Sequence, residues 1–112
     1  MNKRFALDAA DIRALAEGYG SCIASDQIMV TGQLVDFMYR EPPDDDTDSG
    51  WRFLSGEETA EYTDDPANFG LYDVNTVANY DPDIIQHLSA PAFSAFERHH
   101  ETGQLVAVEF PG

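Results

Sequence analysis

An α+β domain, built as an antiparallel sheet with several short helices packed on it, is the fold class this sequence predicts. Three observations carry the prediction. Segments 37–40 and 51–54 alternate side chains between two faces and flank a loop rich in Pro and Asp, the pattern of a β-hairpin. Asp8, Asp73 and Asp81 each stand before a short run with helical spacing, where a carboxylate can cap the first turn. The 112 residues are 43% apolar and include 7 Phe, 5 Tyr and 1 Trp, enough for one core and hence one domain over residues 1–112.

The elements follow in chain order. Asp8 opens a helix with Asp11 in its first turn and Gly18 or Gly20 at its end. Ala9, Ile12, Leu15, Ala16 and Tyr19 share one face of it, which makes it a lid on the sheet. Residues 21–25 form a short strand with Cys22 and Ala24 on one face and Ile23 on the other. Asp26-Gln27 turns the chain, residues 28–30 fit either a strand or a helical turn, and Thr31-Gly32 turns it again. Residues 34–40 give the strongest strand, stopped by Pro42 and Pro43, which have no N–H for a ladder. Asp44, Asp45, Asp46, Asp48 and Ser49 make the loop, and Gly50 supplies the backbone freedom to leave it. The return strand puts Trp51 and Phe53 on one side and Arg52 and Leu54 on the other, and Ser55-Gly56 ends it. Residues 66–70 read as a loop. Asp73 caps a helix presenting Val74, Val77 and Ala78. Asp81-Pro82 starts another, with proline where its missing N–H costs nothing, and sends Ile84, Ile85 and Leu88 to the core. Segments 93–98 and 105–110 pair as a closing hairpin through Glu101-Thr102-Gly103.

Charge narrows the partners. The formal net charge is −15, and residues 41–65 hold ten acids and one base. Such a field repels nucleic acid and anionic membrane, whose phosphates carry the same sign, and favours cations or basic proteins. Lys3 and Arg4 are followed by only three apolar residues before Asp8, too few for a signal peptide, and no apolar span of about 18 residues predicts a membrane helix. The expected location is the cytoplasm.

Several residue clusters have a chemical and a structural reading. Asp44, Asp46 and Asp48 suggest a calcium loop, but the Gly and Glu that an EF-hand needs at its sixth and twelfth positions fall one residue out of register. His99 and His100 are adjacent, so on a strand they point apart and chelate poorly; an exposed turn accounts for them better. Cys22 stands alone on an apolar strand and reads as a small buried hydrophobe. No nucleophile motif, phosphate loop or metal signature is present, so the expectation is a non-enzymatic protein with no catalytic residue, metal or cofactor. Arg40 and Arg52 either pair with neighbouring acids to shape the loop or face a partner. Trp51 and Phe53 are core residues or, in the case of Trp51, an exposed anchor.

One resemblance joins these pieces. Tyr39-Arg40-Glu41, Asp48-Ser49-Gly50-Trp51-Arg52-Phe53, Ser55-Gly56-Glu57-Glu58, Tyr62 and Asp64-Asp65-Pro66 stand in one series. Tyr72-Asp73, Asn75-Thr76, Asp81-Pro82 and Ser94-Ala95-Phe96-Glu97-Arg98 continue it. Together, over residues 21–98, they resemble a bacterial family once catalogued as a domain of unknown function. It was later classed as the thirty-third group of predicted immunity proteins of polymorphic-toxin systems. The resemblance implies an α+β domain that binds and neutralises a cognate toxin encoded by an adjacent gene. Joined to the charge count, it makes Asp44, Asp45, Asp46, Asp48, Glu57 and Glu58 the expected toxin-binding residues. A different class of function, a stand-alone regulatory domain binding a cation or small ligand through the same acidic loop, is the alternative.

Overall fold

The computed structural model describes residues 4–111; Lys3 lies outside them. Six strands form one sheet: β1 (Ser21–Ser25), β2 (Phe37–Arg40), β3 (Asp48–Leu54), β4 (Phe69–Asp73), β5 (Ala95–Arg98) and β6 (Leu105–Val108). Their order is β4-β1-β3-β2-β5-β6. The fold is α+β and mostly antiparallel, with one departure from the expected sheet: β1 and β3 run parallel. Three short α-helices accompany it, α1 (Asp26–Met29), α2 (Ala60–Asp64) and α3 (Val74–Tyr80), together with a 3-10 helix over Pro82–His87.

The pleat sorts the side chains into two sets. Gly70, Ala24, Phe53, Met38, Phe96 and Ala107 are cross-strand partners in one row, on the face that α1, α3 and the 3-10 helix cover. Leu71, Ile23, Arg52, Tyr39, Ala95 and Val108 form the matching row on the other face. The core lies on the first face, where Trp51, Phe53, Ile28, Met29, Met38, Ile84 and Leu88 are fully buried. Cys22 is buried there too.

The hairpin over 37–54 and the closing hairpin form as the alternation predicts. Asp73 accepts the Asn75 amide, and Asp81 accepts the Asp83 amide in front of Pro82, so both expected caps are present. The segment expected to make the first helix does otherwise. Only Ala9–Asp11 makes a 3-10 turn, Asp8 makes no side-chain cap, and Leu15 and Tyr19 are exposed. The reason lies in α3. Asn75 Oδ1 accepts the amides of Leu15 and Ala16, Asn79 Oδ1 accepts that of Arg13, and both side-chain amides donate to the Arg13 carbonyl. Backbone groups that a helix would satisfy internally are satisfied here by two asparagines. Asp26-Gln27 is the start of α1 rather than a plain turn, with Ser25 as its cap, and Ile28 and Met29 belong to that helix. The strand expected over 34–40 begins only at Phe37, because the Val35 amide is taken by the Asp81 carboxylate.

Candidate functional site

The acidic loop is organised by one arginine. Arg52 projects from β3 onto the face that α3 leaves uncovered, and its guanidinium grips Asp48 with two parallel bonds, Nη1 to Oδ1 and Nη2 to Oδ2, each 3.0 Å. Its Nε bonds Glu41 at 2.9 Å, and Asp44 lies 3.8 Å away. The fork of a guanidinium matches a carboxylate in this way, and the contact holds the Asp48 carboxyl well below the usual range. Asp48 also accepts the amides of Asp44 and Gly50. Asp45 Oδ1 takes the amides of Thr47 and Asp48 and the Thr47 hydroxyl, which keeps its own carboxyl low as well. The Thr47 carbonyl accepts the Ser21 amide at 2.7 Å, tying the loop tip to β1. Gly50 has φ +88°, and a Cβ there would overlap the Glu41 carbonyl, so only glycine lets β3 start this close to the end of β2.

The six predicted carboxylates therefore do not form one patch. Asp44, Asp45 and Asp46 stand exposed at the loop tip, whereas Asp48 is turned inward onto Arg52. Glu57 and Glu58 lie past the other end of β3, a strand of seven residues and so roughly 20 Å long. Glu57 accepts from Gln33 at 2.7 Å. Glu58 closes the turn that ends the strand, accepting the Ser55 and Gly56 amides and the Ser55 hydroxyl. Burial works against the charge of Glu58, but hydrogen bonds from Ser25 and Ser55 outweigh it and lower its carboxyl.

Arg40 takes a different set of partners from the acids expected for it. It lies on the covered face, where Nε donates to the Ser49 carbonyl at 2.8 Å and Nη1 to the Ala90 carbonyl at 2.7 Å. The 3-10 helix over 82–87 ends just before that carbonyl, and free carbonyls past a helix end attract a cation. The guanidinium lies 5.6 Å from the Trp51 ring centre. Trp51 is fully buried, donates Nε1–H to the Leu88 carbonyl at 3.2 Å and stacks on Phe53, so it is a core residue and not an exposed anchor. Sequence reasoning missed Arg98, which bonds Asp81 at 2.5 Å, Asp83 at 3.0 Å and the Val35 and Gly103 carbonyls. The signal was Asp81-Pro82, whose carboxylate reads as a cap and serves as an ion-pair partner as well.

The uncovered face carries the remaining feature. Adjoining depressions run across it, one of about 300 Å³ beside Asp44, Asp45 and Leu71, another of about 200 Å³ between Ile23, Tyr39 and Leu54. α2 borders the second of these through Thr63. Cys22 is on the covered face, where burial pushes its thiol up. His87 stacks on Phe96 at 4.1 Å, with burial lowering its pKa. Among the described residues no three His, Cys, Asp or Glu side chains are grouped to hold a metal ion, and no helix is long and apolar enough to cross a membrane.

The family model described as the immunity protein Imm33 domain matches residues 22–109, most of the chain and the whole of the sheet but for Ser21. The chain belongs to the Imm33 immunity protein family. No curated protein and no solved structure matches it. Membership points to toxin immunity and implies a toxin as the partner. The aspartate loop, Arg52 and, but for Ser21, the strand residues of the uncovered face fall inside the matched residues.

Proposed function

We propose that this Imm33 protein neutralises its toxin by stoichiometric binding, without catalysis, and that the loop tip of Asp44, Asp45 and Asp46 makes the first contact. One observation supports this most: Arg40, Arg52 and Arg98 are all turned into the fold, while the three tip carboxylates are exposed. The surface near the loop is thereby left negative, and it suits a basic cleft on the partner. If the toxin acts on nucleic acid, its cleft is basic, and the tip carboxylates occupy the place of phosphates. The alternative of a cation-binding loop is disfavoured, because Asp48 and Asp45 already accept from Arg52, Thr47 and backbone amides.

The test is co-expression with the toxin encoded beside the gene, followed by binding kinetics at two salt concentrations. Wild type should rescue growth. Asp44, Asp45 and Asp46 changed together to Asn should slow association at low salt and leave the melting temperature intact, since exposed tip charges contribute little to stability. The wild-type rate should fall as the Debye length shrinks from about 30 Å at 0.01 M to about 8 Å at 0.15 M. Equal association rates for variant and wild type at both salts would remove the loop tip from the interface.

A further inference from the structure

We propose that the uncovered face of the sheet, from Leu71 across Ile23 and Tyr39 to Phe93, is the docking surface that holds the toxin once the loop has steered it in. The occupant it fits is a ridge of apolar side chains on the toxin bordered by Lys and Arg. This rests on the toxin-binding reading above and assigns a surface that reading does not require.

Exposure is the first support. Leu71 is 73% exposed in the middle of edge strand β4, and Phe93 is 62% exposed just before β5. They are joined by contacts. Phe93 packs on Phe110, Phe110 on Tyr39, and Tyr39 shares a depression with Ile23 and Leu54. Leu71 and Ile23 are cross-strand partners. An apolar track, broken at β3 by the ion-paired Arg52 between Ile23 and Tyr39, thus crosses a face that α1, α3 and the 3-10 helix do not cover, and exposed apolar surface of this kind marks an interaction site.

Phe93 supplies the second support. Its φ of +71° is the one positive value at a non-glycine position among the described residues. A bulky side chain in the left-handed region is strained. The ring packs edge-on against Phe110, but most of it stays in water, so little burial offsets the strain. Strained, exposed residues concentrate at binding sites.

Charge identifies the occupant. Glu41, Asp44 and Asp45 border the depressions on one side, and Asp36, Glu58 and Glu97 on the other. Among the described residues Arg52 is the one cation lining them, and its guanidinium is taken up by Glu41 and Asp48. An apolar centre with an acidic rim disfavours a second copy of this chain, because two rims in a molecule of net charge −15 would repel. It complements an apolar centre with a basic rim. The rim and loop then govern how fast the partners meet, and the apolar track governs how slowly they part.

The experiment uses the whole protein against the toxin domain encoded beside its gene, with Leu71→Ser and Phe93→Gly as separate variants. Both should associate at near the wild-type rate and dissociate at least about tenfold faster. Phe93→Gly should melt at or above the wild-type temperature, because glycine accepts the positive φ. If wild type binds and both variants dissociate at the wild-type rate, this face is not the docking surface, and the toxin-binding reading stands without it. If wild type neither binds nor rescues, the functional reading fails and takes this one with it. Sedimentation of the free protein tests the remaining occupant: a dimer that Leu71→Ser dissolves would make the face a self-association surface and overturn the assignment. Should Phe93→Gly fail to fold, Leu71→Ser decides alone.

Discussion

At the scale of single residues, the decisive contact is the fork between Arg52 and Asp48, because it separates a structural carboxylate from its exposed neighbours. From the sequence, Asp44, Asp45, Asp46 and Asp48 are four equivalent acids. Which one turns inward depends on β3, where Asp48 stands four residues before Arg52 and the Gly50 irregularity brings the two together. The prediction belongs to this pair. Asp48 is held below its usual pKa when folded, so it adds stability that is present above the unfolded value near pH 4 and is lost as pH falls below it. Asp81 works in the opposite sense, since burial raises its carboxyl, and falling pH eases the cost of burying it. Comparing Asp48→Asn with wild type removes that background. In urea titrations the variant should be less stable by about 2 kcal/mol at pH 7, the worth of charge-assisted bonds to a guanidinium. The gap should narrow by pH 3. A gap that stays constant from pH 7 to pH 3 would mean that the carboxylate is not held in its charged form by the fold.

At the scale of elements, the hairpin was legible because its information is local. Alternation fixes the faces of β2 and β3, and Pro42 and Pro43 fix where the first strand stops. β4 was not legible. Phe69-Gly70 after Pro66 reads as the end of a loop, yet both belong to a strand in which the Tyr72 ring lies where a Cβ on Gly70 would be. The strand is defined by its pairing with β1 over Phe69–Asp73, so tertiary structure overrides the local signal. The first helix fails for the same kind of reason in reverse. Its apolar spacing is real, but Asn75 and Asn79 capture its backbone from across the molecule. Asn75→Ala should therefore cost about 2 kcal/mol, because it strips partners from the Leu15 and Ala16 amides and the Arg13 carbonyl at once. Native-state hydrogen exchange should show the amides of Leu15 and Ala16 losing protection while those of β3 keep theirs. Uniform loss across the sheet would instead make α3 and the N-terminal segment one cooperative unit with the core.

At the scale of the whole molecule, composition announces an acidic surface, and the fold sharpens it by spending three arginines inside. The open apolar face is different. Alternation puts Leu54 on the side of β3 that carries Arg52, but that Ile23 and Tyr39 join them follows from the strand register, and which side stays uncovered is decided by where α3 and the 3-10 helix pack. One consequence of the charge is separable from binding. With a net charge of −15, carboxylates around the surface repel one another in the compact state more than in the expanded one. The attractive pairs that oppose this, Arg52 with Asp48 and Arg98 with Asp81, are buried, and salt screens them less than it screens exposed charges. Raising salt from 0.01 M to 0.5 M should therefore stabilise the free protein, with a melting temperature higher by roughly 4 °C if about 1 kcal/mol of repulsion is removed. The same salt should slow association with the toxin, so one variable moves folding and docking in opposite directions. A melting temperature that falls with sodium chloride would show that attractive pairs, not repulsion among the acids, dominate the electrostatics of the fold.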